Sequence, residues 1–180
     1  MRRTVKISLT ALFGSLAIVF SILRLEARFP LLPWLKFDLA EIPSMLAYFT
    51  CGLGYGILAE AIHYLGLVAR GSNFLNAFMK FLAVTSMMVG YSLFTRTIHK
   101  AVSGIVLRVV AMSIMNYVYF YFLYPNFYPN FLSYALKVAG SIELLYGYTA
   151  VFNTIHGALT IGVSLLLVRE IEKRVKLPPK

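Results

Sequence analysis

Five stretches of this sequence carry no charged residue: 7–23, 42–59, 81–95, 109–136 and 144–168. That feature constrains the fold more than any other. A helix crosses a bilayer with about 20 mostly apolar residues, or with fewer where the bilayer thins or neighbours cover its ends. Pro, Gly and charge positions divide the chain into six expected spans, at roughly 7–24, 41–51, 56–69, 73–94, 101–124 and 146–169. The expected fold is therefore all-α, a single domain over 1–180 built as an integral membrane bundle of six helices. Only 13% of the residues are charged, where a soluble domain has about 25%. No cleavable signal peptide is expected, because the first apolar stretch lacks an Ala-x-Ala-like site.

The basic excess is positional. Of 17 Lys and Arg, ten fall at the two ends and in one short loop: Arg2, Arg3, Lys6, Arg96, Lys100, Arg169, Lys173, Arg174, Lys176 and Lys180. The positive-inside rule places these on the cytoplasmic side, with both termini. Net charge alone suits a nucleic-acid partner, but this distribution points to a lipid bilayer and a multi-pass protein. Arg108, two turns inside the fifth span, is expected to snorkel inward. The two long loops fall outside. One, about 25–40, contains Pro30, Pro33 and Trp34. The other, about 124–145, carries two Tyr-Pro-Asn turns and then an amphipathic helix at 131–139. They form either a lid over an outward-opening pocket or an interfacial aromatic belt.

Charges inside spans need partners or a function. Glu60 has His63 three residues on, on the same helix face, and Lys80 sits mid-span. They either face a ligand or form a structural pair, Glu60 with Lys80 or with His63. Asn76, Asn116 and Asn153 bring donors and acceptors into apolar helices. They either surround the polar edge of a ligand or bond one helix to another. His156 follows Asn153 by one turn and points to the same place. No metal site is expected, since the three histidines lie on separate segments and the lone Cys51 offers no zinc spacing. Gly52-x-Gly-x-Gly56 sits at a turn between spans and reads as close backbone packing, not as a phosphate loop. Thr10, Ala11, Gly14 and Ser15 make a small-residue strip on the first span that lets another helix approach.

Several strings resemble one family. Leu35-Lys-Phe-Asp-Leu-Ala-Glu-Ile-Pro43 is similar to the Leu-Lys-Ile-Asp-Phe-Ser-Asp-Val-Pro string of the riboflavin-specific S components of energy-coupling factor (ECF) transporters. The similarity continues into Gly52-Leu-Gly-Tyr-Gly-Ile-Leu-Ala-Glu60-Ala-Ile. Leu75-Asn76, Met112-Ser-Ile-Met-Asn116-Tyr117 with Pro125 beyond it, and Phe152-Asn153-Thr-Ile-His156-Gly157 follow in the family's order. The resemblance implies a non-enzymatic membrane subunit that binds riboflavin from outside, as a transported ligand and not as a cofactor. It implies docking through Thr10, Ala11, Gly14 and Ser15 on a transmembrane coupling subunit that carries two ATPases. It implies a ligand held by Asn76, Asn116, Asn153 and His156, under the loop residues Phe37, Leu39 and Ala40. Asp38 and Glu41 are expected to cap the second span.

The sequence departs from the family at six positions. His63 and His156 stand where it has Lys, Leu53 and Ser86 where it has Pro, Tyr64 where it has Asn, and Lys80 where it has a small residue. Three other readings therefore stand beside riboflavin uptake. One is the same transport class with a pyridoxine, pyrimidine or deazapurine ligand. Another is an enzyme using Glu60 and His63 as acid and base, and the third is an assembly subunit.

Overall fold

The computed structural model describes residues 1–123 and 130–174. The chain folds into α1 (Arg3–Ile22), β1 (Glu26–Arg28), β2 (Lys36–Asp38), α2 (Glu41–Cys51), α3 (Leu53–Ala69) and α4 (Phe74–Ser92). Then come α5 (Thr97–Val118, ending in a π-helical turn, Tyr119–Leu123), α6 (Phe131–Ala139) and α7 (Ile142–Arg174). The expected amphipathic helix at 131–139 is α6. Residues 124–129, which hold most of the two Tyr-Pro-Asn turns, and 175–180, with Lys176 and Lys180, lie outside the described residues.

Among the described residues, four helices are long and apolar enough to cross a membrane: α1, α4, α5 with its π-helical end, and α7. The second and third expected spans come out shorter. Helices α2 and α3 have 11 and 17 residues. At 1.5 Å per residue they reach about 16 and 26 Å, against a hydrocarbon core of about 30 Å. Gly52 sets that division. Its φ of 107° is open to glycine and strained for other residues, and it reverses the chain between α2 and α3. Four residues later Gly56 lies against Tyr48, where a Cβ would stand 2.6 Å from the Tyr48 Cβ. This is the close packing expected of the Gly-rich turn.

Residues near the ends of α1, α3 and α5 and toward the starts of α2, α4 and α7 line one cavity, so these helices alternate in direction, and α6 packs against α7. Local chemistry sets several of the starts. Asn73 caps α4, its side chain accepting from the amides of Leu75 and Asn76 at 2.9 and 3.2 Å. Pro43 falls in the first turn of α2, where its missing N–H costs nothing. The long first loop folds into an antiparallel hairpin that pairs Glu26 with Asp38 and Arg28 with Lys36. No alternation of apolar and polar residues announces strands this short. Trp34, between them, packs on Phe131 and Tyr134 of α6 at 5.3 and 5.8 Å. Hairpin and α6 thus close one end of the bundle. A cluster including Phe29, Leu32, Phe120, Leu145 and Phe152 lies beneath them.

Candidate functional site

Under the hairpin lies a cavity of about 550 Å³, within the range of about 300–1,000 Å³ for small-molecule pockets. Alternating helix directions bring one end of each helix to it. Ser21 comes from the end of α1, Glu41 from the start of α2 and Arg70 from the end of α3. Asn76 and Lys80 lie near the start of α4, Asn116 near the end of α5, and Asn153 and His156 on α7. Trp34, Tyr119, Phe120, Phe131 and Phe152 add an aromatic wall.

The expected ligand residues meet here in part. Asn76, Asn116, Asn153 and His156 all line the cavity. The Tyr119 hydroxyl donates to Asn76 Oδ1 at 2.9 Å, and the Asn76 NH₂ group has no partner among the described residues. The Asn116 side chain makes no hydrogen bond among the described residues. Asn153 is engaged at both ends of its amide: its Nδ2 donates to the Thr149 carbonyl at 3.0 Å and its Oδ1 accepts from Arg108 Nε at 3.2 Å. The loop residues lie elsewhere. Phe37 packs on Phe152 and His156 at ring distances of 5.0 and 5.7 Å. Leu39 is 47% exposed and Ala40 is buried, and none of the three lines the cavity. From this loop Glu26, Trp34, Leu35, Lys36 and Asp38 do.

The floor is a charged network. Arg108, only 2% exposed, donates to both carboxylate oxygens of Glu41 at 2.6 and 3.0 Å. This bidentate geometry is the strong form of the pair. Thr160 adds a hydroxyl to Glu41 at 3.2 Å. Arg108 also donates to His156 Nδ1 at 3.1 Å. Arginine has only donors, so Nδ1 accepts, and the ring is assigned as neutral with its proton on Nε2. Nε2 lies 3.2 Å from the Asp38 carbonyl, to which it donates, and 3.1 Å from the Asp38 amide nitrogen. The snorkelling expected of Arg108 does not occur, because Glu41 satisfies it in place. Glu41 makes no cap either, since α2 has no side-chain cap hydrogen bond. Asp38 accepts the Ala40 amide at 2.7 Å and holds Lys80 in an ion pair.

Glu60 pairs with His63, not with Lys80. Its carboxylate accepts from His63 Nδ1 at 3.1 Å, and His63 Nε2 takes the Ser21 hydroxyl at 2.8 Å. Glu60 and His63 are wholly buried between helices and neither lines the cavity. An acid–base pair acting on a ligand there has no access to it. The small-residue strip divides as well. Thr10 and Gly14 face inward, and a Cβ on Gly14 would stand 2.9 Å from Ile62 of α3. Ala11 and Ser15 face outward. Among the described residues no group of three His, Cys, Asp or Glu gathers as for a metal ion.

The arrangement of helices has a counterpart among solved structures. Over 96% of its length this chain superposes on the S component of a bacterial ECF transporter, with a TM-score of 0.74, 21% sequence identity and 98% of that chain covered. The chain has the S-component fold. No family model and no curated protein matches the sequence.

Proposed function

We propose that this chain is the high-affinity substrate-binding subunit of an ECF-type vitamin uptake transporter, with riboflavin as its ligand. It would sit as a multi-pass protein in the cell membrane, and its work would be driven by two ATPases on a transmembrane coupling subunit. The observation that carries the reading is the convergence of Asn76, Asn116, Asn153 and His156 on one cavity of about 550 Å³, within a fold shared with an S component. A flat heterocycle fits between the aromatic wall and the amides. Asn116 and the NH₂ of Asn76 supply unused hydrogen-bonding capacity for its polar edge.

The His156 departure is compatible with this ligand. Where the family resemblance leads to a Lys, the cation comes from Arg108, which reaches His156 from α5. Binding at nanomolar concentration takes about 12 kcal/mol. Burial of a tricyclic ring with its edge hydrogen bonds is a reasonable source. The bilayer orientation follows the charges. The cavity end carries Arg24, Arg28, Lys36 and Arg70 offset by acidic residues, and the opposite end carries the unbalanced Lys and Arg.

One observation favours a second ligand class in the same role. The Arg108–Glu41 pair makes the cavity floor more polar than amides alone, which suits a small heterocycle of pyridoxine, pyrimidine or deazapurine type. Uptake decides between them. Cells making this chain with a coupling subunit and two ATPases should accumulate labelled riboflavin, and cells lacking this chain should not. Accumulation of labelled pyridoxine instead would move the assignment to the second class. Accumulation of neither, with the complex assembled, would contradict the transport reading.

A further inference from the structure

Three ion pairs and one additional cation make up the charge of the cavity wall. Glu26 holds Lys36, Asp38 holds Lys80, and Glu41 is clamped by Arg108. Arg70 has no carboxylate partner among the described residues. With His156 neutral, the wall carries one net positive charge, and it resides on Arg70.

Arg70 is built into its position. It ends α3, and Gly71 follows with φ of 88°. The amide of Gly71 donates to the Val68 carbonyl at 2.9 Å and that of Ser72 to the Leu67 carbonyl at 3.0 Å. These two bonds close the helix in a Schellman turn, which requires the left-handed residue that glycine supplies. The turn sets Arg70, Ser72 and Asn73 on one short segment, and all three line the cavity. One Arg70 nitrogen, Nη1, donates to the Ser21 carbonyl at 2.8 Å. Among the described residues Nε and Nη2 have no partner, nor do the Ser72 hydroxyl and the Asn73 NH₂.

We propose that Arg70, Ser72 and Asn73 form an anion subsite at the rim of the cavity, through which the site also accepts ligands that carry a single carboxylate there. This rests on the cavity being the ligand site of a transport subunit. A guanidinium held at one nitrogen still offers a fork to a carboxylate. The hydroxyl and amide beside it supply further donors. One negative charge neutralises the wall. A phosphomonoester, at about −1.5 to −2, overshoots it. The ring then lies between the aromatic wall and Asn116, with its carboxylate at the outer end.

The test uses two matched pairs and the full chain in a phospholipid-free maltoside detergent, which removes lipid phosphates as competitors for Arg70. The first pair is nicotinate and nicotinamide, at millimolar concentration, read by thermal stabilisation. The second is riboflavin and its 5′-carboxylate analogue, read by flavin fluorescence. Nicotinate should stabilise the wild type at concentrations about fivefold lower than nicotinamide, a gain typical of an exposed charge pair. Arg70→Gln should abolish that difference and Arg70→Lys should keep most of it. Equal action of the two fragments on the wild type, or a preference that survives Arg70→Gln, would overturn the subsite. The flavin pair tests the reading underneath. If neither flavin binds, riboflavin fails as the ligand, while the fragment pair still decides the subsite.

Discussion

Arg108 of α5 grips Glu41 of α2 through two hydrogen bonds, at 2.6 and 3.0 Å, with both side chains almost wholly excluded from solvent. The two residues are 67 positions apart. Their pairing fixes the start of α2 to the middle of α5 and orients His156 beside them. Breaking a buried pair from one side costs about 3–5 kcal/mol, whereas replacing both partners with apolar residues is far milder. Arg108→Met and Glu41→Leu should each lower the unfolding midpoint in detergent sharply. The double variant should recover most of the loss. Single and double variants that lose stability additively would show that the pair is not coupled.

Asn116 and Asn153 line the same cavity but differ in what they already bond. Asn116 has a free side chain, so Asn116→Ala should weaken ligand binding about tenfold or more, equivalent to about 1.4 kcal/mol or more, and leave the melting temperature near wild type. Asn153→Ala removes the acceptor of Arg108 Nε and should lower both affinity and stability. Equilibrium titration paired with a melting curve separates the two. Loss of stability in Asn116→Ala would assign that amide to the helix packing.

Lys80 reaches from α4 to Asp38, the last residue of β2. The pair ties the hairpin to the bundle across the cavity. Lys80→Met should leave Asp38 without its cation and loosen the hairpin, with ligand dissociation faster by about tenfold for each 1.4 kcal/mol lost. Stopped-flow fluorescence reads that rate, and hydrogen exchange at residues 36–40 reads the loosening. An unchanged dissociation rate would mean that the hairpin is held by His156 and Trp34 alone.

Gly14 and Ala11 test the two faces of α1. A Cβ at Gly14 meets Ile62 at 2.9 Å, so Gly14→Val should overpack the α1–α3 contact at a cost of about 1–3 kcal/mol. Ala11 faces outward, so Ala11→Val should leave folding and ligand binding unchanged. In the proposed transporter it should reduce co-purification with the coupling subunit. Wild-type assembly of Ala11→Val would remove the outer part of the strip from the docking surface.

The uncharged runs made the bundle legible, and the Gly-rich turn at 52–56 and the amphipathic stretch at 131–139 marked a turn and α6. Runs of uncharged residues encode burial in lipid directly, which is why the helices were visible without a partner. The hairpin was not, because three-residue strands are held by their neighbours and by Trp34 rather than by their own pattern. The polar network was hidden for a related reason. The i, i+3 spacing offered Glu60 to His63, but nothing local says that Arg108 pairs with Glu41 rather than snorkelling, or that Lys80 answers Asp38. Those choices depend on which helix ends meet. The amides were legible as polar groups in apolar helices, but the sequence did not separate the free Asn116 from the engaged Asn153. Nothing local marks Arg70 as the cavity cation left without a carboxylate among the described residues.

Titration of purified, folded protein with riboflavin, followed by flavin fluorescence, tests the central claim most directly. The account predicts stoichiometric quenching at nanomolar flavin, reduced about tenfold or more in affinity by Asn116→Ala. Fluorescence that stays unquenched up to micromolar riboflavin, in protein that melts cooperatively, would contradict it.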